Sequence, residues 1–433
     1  MKHKGLLRLL GSLVIVGITT ALGALPASGA TIRILDASEA HGYALEALAA
    51  DYEKATGTKV EVEILPYDAT YERQVLTFRS GGSDYDLMVY DCIWGAQYIS
   101  NNWLLDIAPF MKDSNLPDIN MGEFVPGIAE AYDIRGDAVY SIPVDYTNVI
   151  LGYRTDLFEE AGLSGPPKNW SEFADYAKRL TKDTDGDGDI DQYGLIWHGG
   201  IPDSAYTDWL ARVLGMKLPE GQTEFIFNPD VSKTVFMDHD YGVKAVEMVM
   251  DVAEFGPPGA LAFGYGEFIQ AIQQGIGAMF LTWNVIMAEF ENPETSKVAG
   301  KVGYTAIPFD EEKNIIAGGW HMGINSQSNN AEEAYKFLAW IGSDEGQLAM
   351  IEKGAMTPYK QFIFDSEEWT NKYPIMAATA EAGADANVMA FPLTPKFVEM
   401  QQIMYEQLQA AFSGVKSPEK AMTQAAKEID GIL

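Results

Sequence analysis

The sequence predicts an α/β protein built as two lobes. Three observations carry this. A strand–helix–strand pattern opens the chain after its first 30 residues, a short apolar run ends on an acidic residue at Asp91, and roughly 400 residues exceed what one hydrophobic core usually holds.

The elements follow in order. Residues 1–30 read as a secretory leader: Lys2, Lys4 and Arg8 give a basic start, an apolar run follows, and Ala27-Ser28-Gly29-Ala30 supplies the small residues of a cleavage site. The apolar run is interrupted by glycines and falls short of the ~20 residues that span a bilayer, so a cleaved leader is expected rather than an anchor. Thr31 to Leu35 alternates like a half-buried strand. Leu45, Leu48, Ala49 and Tyr52 then recur at helical spacing, and Val60, Val62 and Ile64 alternate again. Leu87-Met88-Val89-Tyr90 suits a buried parallel strand. Asp91 then falls at its C-terminal edge, where open α/β sheets bind ligands. Ser171 is positioned to cap a helix whose buried stripe is Phe173, Tyr176, Ala177 and Leu180. Ser417-Pro418 starts a last helix, with proline at its first position.

Composition excludes several classes. With 62 acidic against 30 basic residues the net charge is −32, which argues against nucleic acid and anionic membrane surfaces as partners. The one cysteine, Cys92, excludes an internal disulfide and a Cys-based zinc cluster, and it reads as a small buried apolar residue. No G-x-S-x-G, H-E-x-x-H or Walker A motif occurs, and the histidines have no metal-ligand spacing. A secreted carbohydrate-active enzyme would need paired carboxylates across a cleft, and carboxylates are abundant enough to leave that alternative open. A calcium-dependent adhesion protein would repeat its calcium loops, whereas this chain has a single such loop.

A series of segments carries a resemblance through its order. Tyr85-Asp86-Leu87 leads to Asp91 and Trp94, then Leu104-Leu105-Asp106-Ile107-Ala108-Pro109. Ile142-Pro143 precedes Tyr153-Arg154-Thr155-Asp156-Leu157-Phe158, and Pro166-Pro167-Lys168-Asn169-Trp170-Ser171-Glu172-Phe173 follows. Gly277-Ala278-Met279-Phe280, Gly303-Tyr304, Ile307-Pro308 and Gly318 to Asn325 complete it. In this order they resemble the family-1 extracellular solute-binding proteins of carbohydrate ABC importers, the maltose/trehalose-binding group.

The resemblance implies a two-lobed periplasmic-binding-protein fold, type II-like, with a hinge and an interlobe ligand cleft. Residues 31–143 and 318–356 would form the N-lobe, and 144–317 and 357–433 the C-lobe. It further implies a monomeric, periplasmic receptor with no catalytic residues and no catalytic cofactor. Such a receptor closes on a small-molecule carbohydrate and delivers it to an ABC permease. A polyol, a polyamine or a glycerophosphodiester is the alternative ligand on the same fold.

A sugar offers weakly apolar ring faces and a rim of hydroxyls, so its site needs aromatic rings and carboxylate or amide acceptors. Five places combine the two where the fold would put the cleft: His41 with Tyr43, Asp91 with Trp94, Asp145-Tyr146, Trp283-Asn284, and Gly319-Trp320-His321. Each also reads as a capped turn or a packed ring. Trp197, Tyr206 and Trp209 are candidate ligand contacts of the second lobe, with core packing the preferred reading.

Asp183-Thr184-Asp185-Gly186-Asp187-Gly188-Asp189-Ile190-Asp191 matches the first part of an EF-hand loop. Asp183, Asp185 and Asp187 offer carboxylates to a hard cation, Gly188 permits the sharp turn, Asp189 offers its carbonyl, and Ile190 is expected to pack inward. Gly194 stands where the motif has Glu, so Asp191 or a distant carboxylate must complete the shell. Structural calcium is the expectation, and a solvated acidic turn the alternative.

Overall fold

A computed structural model describes residues 29–220, 224–237, 239–355, 357–384, 386–389 and 391–433. The leader assigned to residues 1–30 lies outside the described residues except for its last two. Among the described residues, no helix is long and apolar enough to cross a membrane.

The strands are β1 (Thr31–Ala37), β2 (Lys59–Leu65), β3 (Leu87–Asp91), β4 (Ile134–Arg135), β5 (Ala138–Val139), β6 (Ser141–Pro143), β7 (Thr147–Arg154), β8 (Tyr193–Ile196), β9 (Gly277–Trp283), β10 (Val302–Ala306), β11 (Asn314–Gly318), β12 (Trp320–Ile324) and β13 (Asn387–Met389). Two sheets follow. One has the order β2-β1-β3-β12-β6, and the other runs β13-β11-β7-β9-β8 with β10 also on β7.

In the first sheet β1, β2 and β3 are parallel, joined by helices at Ala40–Thr56 and Tyr67–Ser80. Alternation in β1 is confined to its start, where Ile32 and Ile34 are buried around exposed Arg33. From Ile34 to Ala37 both faces are sealed, because β1 is an interior strand covered by helices. Ile32, Ile34, Leu45, Met88, Val89, Met322 and Phe337 form part of this lobe's core. The second lobe has its own core, including Leu151, Phe173, Trp209, Met279 and Leu408.

Two helix starts test the capping argument. Ser417 caps Pro418–Asp430 by accepting from Lys420 N at 3.4 Å. Ser171 does not cap. The helix is Trp170–Leu180, and Asn169 Oδ1 accepts from Glu172 N at 2.8 Å. Asn169 wins because its short amide sits three residues ahead of that free N–H, while Ser171 is already inside the first turn.

The chain passes between the lobes where β6 of the first sheet gives way to β7 of the second. It returns where β11 gives way to β12, around Gly319. A last passage lies beyond Lys360 rather than at 357. Tyr359 O accepts from Val125 N at 3.0 Å, and the sealed Lys360 ammonium donates to Gly342 O at 3.1 Å and pairs with Glu123 at 2.6 Å, so this stretch belongs to the first lobe.

Candidate functional site in the cleft between the lobes

The topology gathers particular strand ends. β3 ends at Asp91, and β12 begins at Trp320 directly opposite it. β7 begins and β11 ends at the paired residues Thr147 and Gly318, and β9 ends at Trp283 opposite Val149. Both sheets therefore turn chain ends toward the passages between them, and the candidate residues collect there.

The first-lobe wall is aromatic with carboxylates set into it. Asp91 caps the helix Cys92–Ser100, with Oδ1 accepting from Ile93 N at 3.3 Å and Oδ2 accepting from Tyr67 OH at 2.8 Å. The Tyr67 ring lies 5.0 Å from Trp94 and edge-on to Trp320 at 5.8 Å, and Trp94 and Trp320 are 5.5 Å apart. Tyr71 backs Trp94 at 5.1 Å, and His41 backs Trp320 at 4.8 Å. His41 Nδ1 lies 3.1 Å from Asp36, and its Nε2 lies 3.8 Å from the carboxylate of Glu39.

The second-lobe wall is built around Asp203. Its Oδ2 accepts from Trp283 Nε1 at 3.0 Å and from Tyr265 OH at 2.5 Å. His198, sealed behind them, lies 5.3 Å from the Tyr265 ring and 4.1 Å from Phe268. Burial lowers its pKa, so it supports the wall as a neutral ring. Each wall thus holds a tyrosine–carboxylate pair beside a tryptophan.

Burial raises the pKa of Asp91, Tyr67 and Tyr265, and a charge of the opposite wall adds to each, Asp203 for Asp91 and Tyr67 and Glu39 for Tyr265. Burial is the largest cause throughout. It pushes Glu39 up to about 7, with Asp145, Asp91 and Asp36 adding to it against His41. Asp91 rises to about 6 by burial and by Asp203, against the hydrogen bond from Tyr67. Tyr67 nevertheless keeps 37% of its surface open, and Glu39, Asp91, Asp203, Tyr265 and Trp283 are also partly open. Groups so enclosed and still accessible line an internal cleft.

The residues singled out in the sequence fall into three groups. Asp91 and Trp283 are partly open in the two walls, while Trp94 at 2% and Trp320 at 5% exposure are packed into the first wall beneath Tyr67. Asp145, Tyr146 and Asn284 are sealed beside the passages between the lobes. Asp145 Oδ1 accepts from Trp320 N at 2.6 Å, Tyr146 packs on Phe364 at 5.8 Å, and Asn284 donates to Tyr146 O at 3.2 Å and Thr379 Oγ1 at 3.0 Å. His41 is sealed at 1% and supports the wall from behind. Tyr43 is 54% exposed on the Ala40–Thr56 helix and does not join the ring cluster. His321 is 0% exposed on the face of β12 opposite Trp320, with Nδ1 2.7 Å from Asp133, so it is a core group rather than a cleft group. Tyr206, Trp209 and Trp197 are core residues, buried to 4% or less. Phe391, 6.2 Å from Trp283, also lines a mainly apolar cavity of about 460 Å³ in the second lobe, with Tyr206, Leu210 and Ile316.

The sequence reading missed Glu39, Tyr67, Asp203 and Tyr265. The first two had a signal. Glu39, Tyr67 and Asp91 all lie at or just past the C-terminal ends of three adjacent parallel strands; the first end was read for His41 and Tyr43 and the third for Asp91, but the second was not used. Asp203 and Tyr265 begin the helices Pro202–Leu214 and Tyr265–Gln274, and nothing local distinguishes them from ordinary first-turn residues.

The acidic loop draws its first three carboxylates together. One oxygen from each of Asp183, Asp185 and Asp187 comes within 4.8 Å of the others. Asp183 accepts from Gly186 N at 2.6 Å and Gly188 N at 2.9 Å, which holds its carboxyl below the usual range, and both glycines have positive φ. Two details differ from expectation. Ile190 is 41% exposed, because the loop stands off the surface and offers it no core to enter. Asp191 takes hydrogen bonds from Thr184 N and Oγ1 and stands outside the three-carboxylate group.

Two α/β lobes, tied by repeated passages of the chain and facing each other across an aromatic, carboxylate-lined cleft, define a protein that holds a ligand between its lobes. The chain belongs to the bacterial extracellular solute-binding protein family, whose model matches residues 36–348, and it is a substrate-binding receptor. It is 23% identical over 410 residues to a probable amino-acid ABC transporter periplasmic-binding protein of Sinorhizobium fredii, covering 94% of this chain and 90% of that one. Among solved structures, an ABC transporter solute-binding protein from Agrobacterium radiobacter K84 in complex with ribitol superposes with a TM-score of 0.81 at 25% identity, over 94% of this chain and 100% of that one. Maltose-bound MalE3 of T. maritima superposes with a TM-score of 0.80 at 21% identity, over 93% and 100% of the two chains.

Proposed function

We propose that the cleft binds a polyhydroxylated solute of the sugar or polyol class. The receptor would close on it by a hinge motion and present it to an ABC permease outside the cytoplasm. The observation that carries this is the matched pair of walls, Tyr67–Asp91 with Trp94 and Trp320 against Tyr265–Asp203 with Trp283. Carboxylates held by phenol donors keep free lone pairs for ligand hydroxyls, and the rings cover C–H faces. Ligand contacts to both lobes favour the closed form, because a ligand shifts an equilibrium only through differential affinity. The ribitol and maltose complexes of structural neighbours support the class. A glycerophosphodiester is disfavoured, since a phosphate would face Glu39, Asp91 and Asp203.

The receptor is read as a monomer, exported by its leader and without catalytic turnover. Isothermal titration with mono-, di- and oligosaccharides and alditols tests the reading, combined with recovery of unchanged ligand. Binding without turnover is expected; conversion of a bound oligosaccharide would overturn it in favour of a hydrolase.

The Asp183–Asp191 loop is assigned a structural calcium ion. The three converging carboxylates of Asp183, Asp185 and Asp187 fit a hard cation, and water or the Asp189 carbonyl would add to the shell.

A further inference from the structure

We infer that the solute carries a protonated amine alongside its hydroxyls, so that the cleft selects an amino-substituted sugar or polyol. The inference rests on reading the cleft as the solute site, and it concerns charge.

Carboxylates enter from both lobes, Glu39 and Asp91 on one wall and Asp203 on the other, with Asp36 and Asp145 behind the first. Among the described residues none of Glu39, Asp91, Asp145 and Asp203 pairs with a lysine or arginine. His41 is the one basic group within ion-pairing distance of Glu39, and Asp36 already holds its other nitrogen. The acceptors are also under-supplied with donors. The Glu39 carboxylate accepts no hydrogen bond among the described residues. Asp203 receives both its donors on Oδ2 and leaves Oδ1 free. His41 Nε2, on a side chain 1% exposed, has no hydrogen-bond partner and points toward Glu39 from 3.8 Å. Asp145 Oδ2 is likewise buried and unpartnered.

A neutral polyol would satisfy these acceptors and leave the negative charge enclosed. An ammonium group brings three donors and the compensating charge at once, and the faces of Tyr67, Tyr265 and Trp283 favour a cation further. Closure gives the charge a mechanical role. It brings Asp203 toward Asp91 and Glu39, so like charges oppose it, and a cation held between the walls turns that repulsion into attraction. The amine then binds the closed form better than the open one, which is the condition for driving closure.

The test is isothermal titration of the intact chain at neutral pH. The probes are D-glucosamine, D-galactosamine and 1-amino-1-deoxy-D-glucitol, each against its hydroxyl parent and its N-acetyl form. At least one amine should bind about tenfold tighter than both neutral counterparts. Glu39→Gln and Asp203→Asn should each narrow that ratio to about twofold; both remove like-charge repulsion, so a melting temperature no lower than the parent's certifies their fold. Silence from every amine, or a neutral form that binds as tightly as its amine, overturns the inference. If neutral solutes bind and amines do not, the charge argument fails and the cleft stands. If Trp283→Ala leaves binding of whatever solute unchanged, the cleft reading itself fails.

Discussion

The backbone N–H of Trp320 donates to Asp145 Oδ1 at 2.6 Å, and Trp320 returns its carbonyl to Val144 N at 2.8 Å. These contacts tie the outgoing passage between the lobes to the returning one. The same tryptophan forms part of the cleft wall, against Tyr67 and Trp94. Hinge and cleft therefore share a residue, and a ligand that shifts Trp320 acts on the passages directly.

Gly319 makes that tie possible. Its φ is +146°, and a Cβ there would stand 2.5 Å from Asp145 O and 2.7 Å from Asp145 Oδ1. Gly319→Ala should cost about 1–3 kcal/mol of stability. It should also weaken solute binding, because the crossing strands must separate to admit the methyl group. Urea denaturation beside titration checks this, and an alanine variant as stable as the parent would show that the passages tolerate separation.

Trp283 and His321 should behave oppositely. Trp283→Phe keeps an aromatic face, though a smaller one, and deletes the Nε1 donor to Asp203. It should weaken binding about tenfold, or about 1.4 kcal/mol, with little change in melting temperature. His321→Ala strips a partner from the sealed Asp133. It should lose about 2 kcal/mol or more of stability and leave affinity within about twofold. A reversed pattern would move His321 into the site and Trp283 out of it.

The sequence revealed more of the fold than of the cleft, for physical reasons. Strand and helix periodicities are local, so β1, β2, β3 and the helices between them could be read from residue spacing. The end of a parallel strand is also local, and it led to Asp91. Asp203 and Tyr265 meet only through tertiary packing, 62 residues apart, and no spacing rule connects them. The rings were legible as residues and not as surfaces. Trp320 is 5% exposed and wedged among His41, Tyr67 and Trp94, so it supports the wall as much as it forms it. Trp320→Ala should therefore cost about 3–5 kcal/mol of stability as well as affinity.

Calcium should raise the melting temperature, and a chelator should remove the increment. Without an ion the loop holds Asp183, Asp185 and Asp187 together against their repulsion. An ion that binds the native loop alone stabilises it by mass action. The Asp185→Ala, Asp187→Ala double variant should abolish the increment and leave solute affinity unchanged. An increment that survives both substitutions would place the ion elsewhere.

Acid should stabilise the ligand-free protein across an unusual window. Burial and like charges push Glu39 up to about 7 and Asp145 to about 6, as they do Asp91. The native state then keeps protons that the unfolded chain has released, so stability falls as pH rises from the ordinary carboxylate range through about 7. His41 acts in the same direction. Burial lowers its pKa, but Asp36, Asp145 and Glu39 outweigh burial and raise it to about 9. Its contribution is complete below 6.5, its ordinary value, and is lost as pH rises through about 9. Asp156, held below its ordinary range by Arg154 against burial, and Asp183, held there by backbone amides, oppose this only in stronger acid. The melting temperature should therefore decline from about pH 5 to about pH 9, and Glu39→Gln should flatten the part below neutrality. A melting temperature that rises over that range would deny the enclosed carboxylates. Below neutrality, affinity for an amine should move the other way, strengthening as Glu39 and Asp91 ionise, because the charges that oppose the empty closed form are those that hold the cation.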